Sequence, residues 1–202
     1  MLKIFKWIGL LAIILLIAFY FKIKNAWTDV YSAEQLSTLV IKINEAEALP
    51  SIFLVTMSEV YPGFLEKGVL IQSTQKFLTR NSNIQCPCED LSRTININHQ
   101  NRRRQNEKLY SISLAMAIED KVEQDQCLAF YLERFDFTNG LIGIESASIY
   151  YYGKNLAKLT TEQQLELILM IKNPALYNKN KRPEIFDREL ENLKIKTGYN
   201  IK

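Results

Sequence analysis

The chain has 202 residues and a net charge of +3, with 25 basic and 22 acidic residues interspersed along it. So weak and mixed a charge gives no electrostatic case for a nucleic-acid partner. The length suits one domain with its own core and is short for two.

The N-terminus reads MLKIFKWIGLLAIILLIAFYFKIK. From Ile4 to Phe21 only Lys6 interrupts the apolar run, and Lys6 is close enough to the end to snorkel. About 18 apolar residues are enough to span a bilayer as a helix, and Trp7 and Tyr20 sit where interfacial aromatics belong. A signal peptide would have a shorter apolar region followed by a small-x-small cleavage site, and KIKNAWTDVYSAEQ offers none. The expectation is an uncleaved anchor over residues 1–24 and a domain over 25–202. Lys3 and Lys6 flank one end and Lys22 and Lys24 the other, so positive charge barely orients the span. A short N-terminal tail kept in the cytoplasm puts the domain on the periplasmic side of the inner membrane, in a single-pass protein.

Ser32 with Gln35 forms a capping box ahead of EQLSTLVIKINEAEA, where Leu36, Leu39, Val40 and Ile43 recur at helical spacing. Pro50 ends that helix, and SIFLVTMSEV follows as a short apolar element that stops at Pro62-Gly63. GVLIQSTQKFLTRN reads as a helix. Residues 81–101 are polar, rich in Asn and Ser, and read as a loop or mobile lobe. A long helix is expected over 103–133. Thr160 with Gln163 caps TTEQQLELILMIKN, which stops before Pro174, and Pro183 opens a last helix. Strand signals are sparse, so the class is mainly α.

The cysteines are Cys86, Cys88 and Cys127. Cys86 and Cys88 are too close for a relaxed disulfide with each other, while Cys127 can pair with either, or all three can remain thiols. Zinc would need a fourth ligand, and the only histidine is His99.

One stretch is more specific. In FTNGLIGIESASIYYYGK, Gly140 and Gly143 permit a tight turn, Ser146, Ala147 and Ser148 permit close helix packing, and Tyr150, Tyr151 and Tyr152 are expected in the core. Together with QDQCLAFYLERFDF before it and LTTEQQLELILMIKNP after it, this stretch resembles the peptidoglycan glycosyltransferase domain, carbohydrate-enzyme family 51. The form closest in size is the monofunctional biosynthetic transglycosylase. That family shows Lys-Asp-x-Ile-Leu-x-x-Tyr-Leu-Asn, Phe-Gly-x-Gly-x-x-Gly and Ala-x-x-Tyr-Tyr-Phe-Gly-Lys in the same order and spacing. The resemblance implies a lysozyme-like helical domain behind one transmembrane helix. It also implies a reaction in which an acceptor hydroxyl attacks the anomeric carbon of a lipid-linked disaccharide and a pyrophosphate leaves. The partners implied are a lipid-linked peptidoglycan precursor or glycan strand, the inner membrane and other cell-wall synthesis proteins. No organic cofactor is implied, though some members use a divalent ion.

Such a transfer needs a carboxylate base at the attacking hydroxyl and cations around the leaving pyrophosphate. The resemblance assigns these roles to positions where this sequence has drifted. Against Glu-Asp-x-x-Phe-x-x-His-x-Gly stands SEVYPGFLEKG, which puts Glu59 at the base, Val60 at the Asp and Lys67 at the His. Against Gly-x-Ser-Thr-Ile-Thr-Gln-Gln-Leu stands GVLIQSTQKFL, in which Thr74 and Gln75 match as substrate-binding residues and Lys76 replaces the second Gln. The third motif, Arg-Lys-x-x-Glu, has two alignments. One extra helical turn sets Arg103, Arg104 and Glu107 in the motif; ungapped counting sets Ser111 at the Glu instead. Gln124 replaces the usual Lys and Glu133 the usual Asn. Substitutions on this scale point to a degenerate or weakly active relative, or to an inactive scaffold.

Overall fold

The computed structural model describes residues 2–79, 86–97, 106–138 and 140–199. Among the described residues the fold is ten α-helices without a strand; extended pairing is limited to a bridge between Asp136 and Ile142. The helix α1 (Leu2–Asn25) is long and apolar enough to cross a membrane: its apolar window has a mean hydropathy of 2.0, and none of it is buried against the rest of the protein. Its foot is fastened to the body. Ser113 Oγ accepts the Trp27 N–H at 2.8 Å and donates to the Lys24 carbonyl at 3.1 Å, and Lys24 pairs with Asp120 at 3.0 Å.

Two apolar cores lie beyond that joint. The first gathers Tyr31, Leu36 and Ile43 around α2 (Ala33–Asn44), Val69 of α4 (Val69–Thr79), Leu91 of α5 (Pro87–Ile97), and Leu114 and Ile118 of α6 (Glu107–Glu119). The second gathers Phe53 and Met57 of α3 (Ser51–Val60), Ala147 of α8 (Ile144–Tyr152), Leu165 and Ile168 of α9 (Thr161–Lys172), and Phe186 of α10 (Pro183–Thr197). α7 (Gln124–Glu133) serves both cores. Cys127 and Phe130 face the first, Leu128 and Leu132 the second, and Tyr131 packs against each. A helix apolar on opposite sides is one buried between two layers, and this one is the seam of the molecule.

The expected caps are present: Ser32 with Gln35 and Thr160 with Gln163 each form a reciprocal capping box, and Pro183 opens α10. Three expectations need correction. Residues 81–101 are not all loop, because α5 occupies Pro87–Ile97. Proline suits the first helical position, and Glu89 and Asp90 in the first turn suit the positive end of the helix dipole. The long helix over 103–133 is two helices, since a third capping box, Glu123 with Gln126, restarts the chain at α7. The tyrosine run is not uniformly core: Tyr151 and Tyr152 are half-buried, whereas Tyr150 is 64% exposed. In the same helix Ala147 and Ser148 are buried as expected and Ser146 is exposed.

The turn from α7 to α8 brings the chain back on itself. The Gly143 N–H donates to the Phe135 carbonyl at 2.9 Å, with Gly140 at φ 74° and Gly143 at φ 89°. A Cβ at Gly143 would also lie 2.8 Å from the Glu133 carbonyl oxygen, which is backbone and cannot swing away. Gly143→Ala is therefore expected to destabilise the protein by roughly 2–4 kcal/mol, the strained φ and the clash acting together. Gly140→Ala, where a Cβ meets only open space, is expected to cost about 1 kcal/mol, from φ alone. Denaturant unfolding of the two variants measures the difference.

Candidate functional site

Glu59 lies in the last turn of α3 and is exposed, and among the described residues no hydrogen bond or ion pair holds its carboxylate. Its neighbour Val60 is buried in the second core, and the Val60 carbonyl accepts from Lys196 Nζ at 3.0 Å, so a cation from α10 closes the helix end. Glu107 is the first residue of α6 and is exposed. Ser111, the other candidate for that motif position, is buried one turn later, its carbonyl accepting the Ser92 hydroxyl at 2.7 Å. The two proposed carboxylates thus sit on helices of different cores, and no contact between them is seen. Thr74 is exposed with its hydroxyl turned back to the Leu70 carbonyl at 2.7 Å, and Gln75 is half-buried. Arg103, Arg104 and His99 lie outside the described residues.

A different group of charges does converge. Glu89, in the first turn of α5, is buried at 2% exposure and holds three donors: Arg93 Nη2 at 2.7 Å, Lys76 Nζ at 3.1 Å and Ser73 Oγ at 3.1 Å. Burial alone would raise this carboxyl, but Lys76, then Arg93 and Ser73, outweigh it and hold Glu89 below its ordinary value of 4.5. Its neighbour Asp90 goes the other way. Burial pushes that carboxyl up despite Lys76, Arg93 at 3.8 Å and the Cys86 N–H at 3.3 Å. Tyr131, half-buried, is pushed up in turn, by desolvation first and then by Asp90. Adjacent carboxyls driven in opposite directions are what a functional centre and a structural ion network both produce. Here every cation is already committed to an internal carboxylate.

The surroundings fix this centre in place. Cys88 forms a disulfide with Cys127, Cα–Cα 5.0 Å, closing 39 residues of chain and contributing about 4 kcal/mol by loop entropy. Cys86 remains a buried thiol. Gln124, standing where the resemblance expects a lysine, is buried; its Oε1 accepts the Cys88 N–H at 3.1 Å and its Nε2 donates to Glu119 at 3.2 Å. Glu119 in turn accepts the Val69 N–H at 2.7 Å, capping α4. Among the described residues no cluster of His, Cys, Asp and Glu is arranged to hold a metal ion.

The Transglycosylase family matches residues 90–196. The chain belongs to that family. The match runs from α5 through α10 and includes Glu107 and Gln124, while Glu59, Thr74 and Gln75 precede it. Among similar proteins are penicillin-binding protein 2a of Streptococcus pneumoniae, 37% identical over 65 residues, which are 32% of this chain and 9% of that protein. Penicillin-binding protein 4 of Bacillus subtilis is 30% identical over 90 residues, 45% of this chain and 14% of its own length. The biosynthetic peptidoglycan transglycosylase of Haemophilus influenzae is 30% identical over 87 residues, 43% of this chain and 36% of that protein. The aligned part of the chain thus spans from about a tenth to about a third of these relatives. The mainly α, lysozyme-like body expected of the family is the one observed.

The ionic centre was missed by reading the sequence alone. Its one signal there was Lys76 replacing a motif glutamine, a new cation that called for a new anion. Glu89 has its folded-state value lowered, so its contribution is present above about pH 4.5, the unfolded value, and is lost as pH falls through the lower folded value. Glu89→Gln is expected to lose of order 3 kcal/mol at pH 7, by leaving Lys76 short of its partner. It is also expected to flatten the acid limb of the stability profile below pH 4.5. Urea unfolding between pH 3 and 7 on both proteins reads this; parallel profiles would show that Glu89 carries no folding-linked ionisation.

Proposed function

We propose that this chain is a membrane-anchored, peptidoglycan glycosyltransferase-like protein of cell-wall synthesis whose catalytic front has drifted, leaving at most weak polymerisation of lipid-linked disaccharides. The observation that carries the reading is the orientation of Lys76. At the position of a motif glutamine, this side chain turns inward to the buried Glu89 and is not free to meet a substrate. Glu59 is the base in this reading, Glu107 the second carboxylate, Thr74 and Gln75 the polar contacts on α4, and Arg103 with Arg104 the cations for the pyrophosphate. Val60 and Gln124 weaken it as an enzyme, since the positions of an expected Asp and Lys now serve the apolar core and the α5 fastening. Gln124 also favours the second reading, a catalytically inactive scaffold or regulator of envelope assembly that keeps lipid or glycan binding.

Two features support a location. α1 has the length and composition of an anchor, and the Cys88–Cys127 disulfide suits an oxidising compartment and not the cytosol. Both support a single-pass protein of the inner membrane with its body in the periplasm.

Incubation of the purified full-length protein with labelled lipid-linked disaccharide tests the reading. The expected yield is at least about a hundredfold below that of a relative with intact motifs, the scale of losing one general base or one electrostatic group. Glu59→Gln should abolish what remains. Polymer formed at a relative's rate would sink the proposal of drift, and residual polymer unaffected by Glu59→Gln would remove Glu59 from the mechanism.

A further inference from the structure

Helix α4 is held differently along its length. Its two buried residues, Val69 and Gln72, lie at its start. There Glu119 caps the Val69 N–H, and Gln72 Nε2 donates to the Phe64 carbonyl at 3.0 Å and to the Lys67 carbonyl. Farther along, Ser73 and Lys76 tie α4 to α5, and both bond the same carboxylate, Glu89. Phe77 and Leu78 beyond them are 76% and 72% exposed. The position of the second half of α4, which includes Thr74 and Gln75, therefore depends on where Glu89 is held.

Glu89 is next in sequence to Cys88, and the Cys88 residue is gripped by α7 twice, through the disulfide to Cys127 and through its N–H to Gln124. We infer that the Cys88–Cys127 disulfide is a latch for α4: it sets the first turn of α5, and through Glu89 it sets the second half of α4. A dithiol reductant opens the latch by thiol–disulfide exchange. One of its sulfurs attacks the pair to give a mixed disulfide, its second sulfur resolves that bond, and two electrons and two protons end on Cys88 and Cys127. Both cysteines are fully buried, so the exchange waits on local opening of the α5 first turn. Cys86 does not scramble the pair, because burial raises its thiol to about 12 and leaves almost no thiolate at neutral pH. The consequence for substrate rests on the reading of α4 as a motif helix; the latch itself does not.

Hydrogen exchange of the full-length protein in detergent, followed segment by segment, tests the latch with dithiothreitol as the reductant. Reduction of the wild type is expected to speed exchange at residues 74–79 by at least about tenfold while α9 and α10 stay protected. Cys88→Ser with Cys127→Ser should reproduce the fast state without reductant, and Cys86→Ser should behave as wild type. Glu89→Gln should exchange fast in α4 whether or not the disulfide is formed, since the link between latch and helix is cut. Loosening of α5 and α7 with α4 still protected would overturn the proposal, leaving the disulfide a local staple. Loosening of every helix together would overturn it equally. The polymerisation assay reads the family function separately, so the two ideas fail separately.

Discussion

A single buried carboxylate organises the region where the family's chemistry would be sought. Glu89 sits at 2% exposure with Arg93, Lys76 and Ser73 all donating to it. An unpaired charge in that position would cost several kcal/mol, so the ion group is retained only as a whole. The arrangement binds α4 to α5, and the adjacent disulfide binds α5 to α7. Three helices of the first core are thereby fastened through two neighbouring residues, Cys88 and Glu89.

The second core has a different character. It is built from large aliphatic and aromatic side chains of α3, α8, α9 and α10, among them Phe53, Leu165, Ile168 and Phe186. Its helices α7 to α9 and nearly all of α10 lie within the residues matched by the family, as do most of α5 and all of α6 in the first core, while α3 and the turn after it precede them. The seam helix α7 joins it to the first core, so the apolar packing of the second core and the fastening at Cys88 and Glu89 share one element.

Much of this was legible in the residues. Capping boxes at Ser32 and Thr160, the proline opening α10 and the glycine turn at 140–143 act locally, so their spacing alone announced them. The motif order from Asp125 onward announced the family for the same reason. What stayed hidden was long-range. Polar composition disguised α5 as a loop, because its helical character rests on packing against α6 and α7 and on Cys88 bonding Cys127, partners far away in sequence. The charge on Lys76 looked like a lost motif position until Glu89 supplied its counterpart across 13 residues. Between α6 and α7 the interruption was readable in Glu123 and Gln126, but an acidic residue at the cap is a weaker signal than a hydroxyl.

The proposed drift of the catalytic front on a retained family scaffold is tested by growth of cells stripped of every other member of the family and supplied with this chain alone. With a drifted front, the full-length protein, correctly inserted and oxidised, is expected not to sustain growth or glycan-strand synthesis, measured by incorporation of labelled muropeptide. Sustained growth that disappears with Glu59→Gln would contradict it and show a working polymerase.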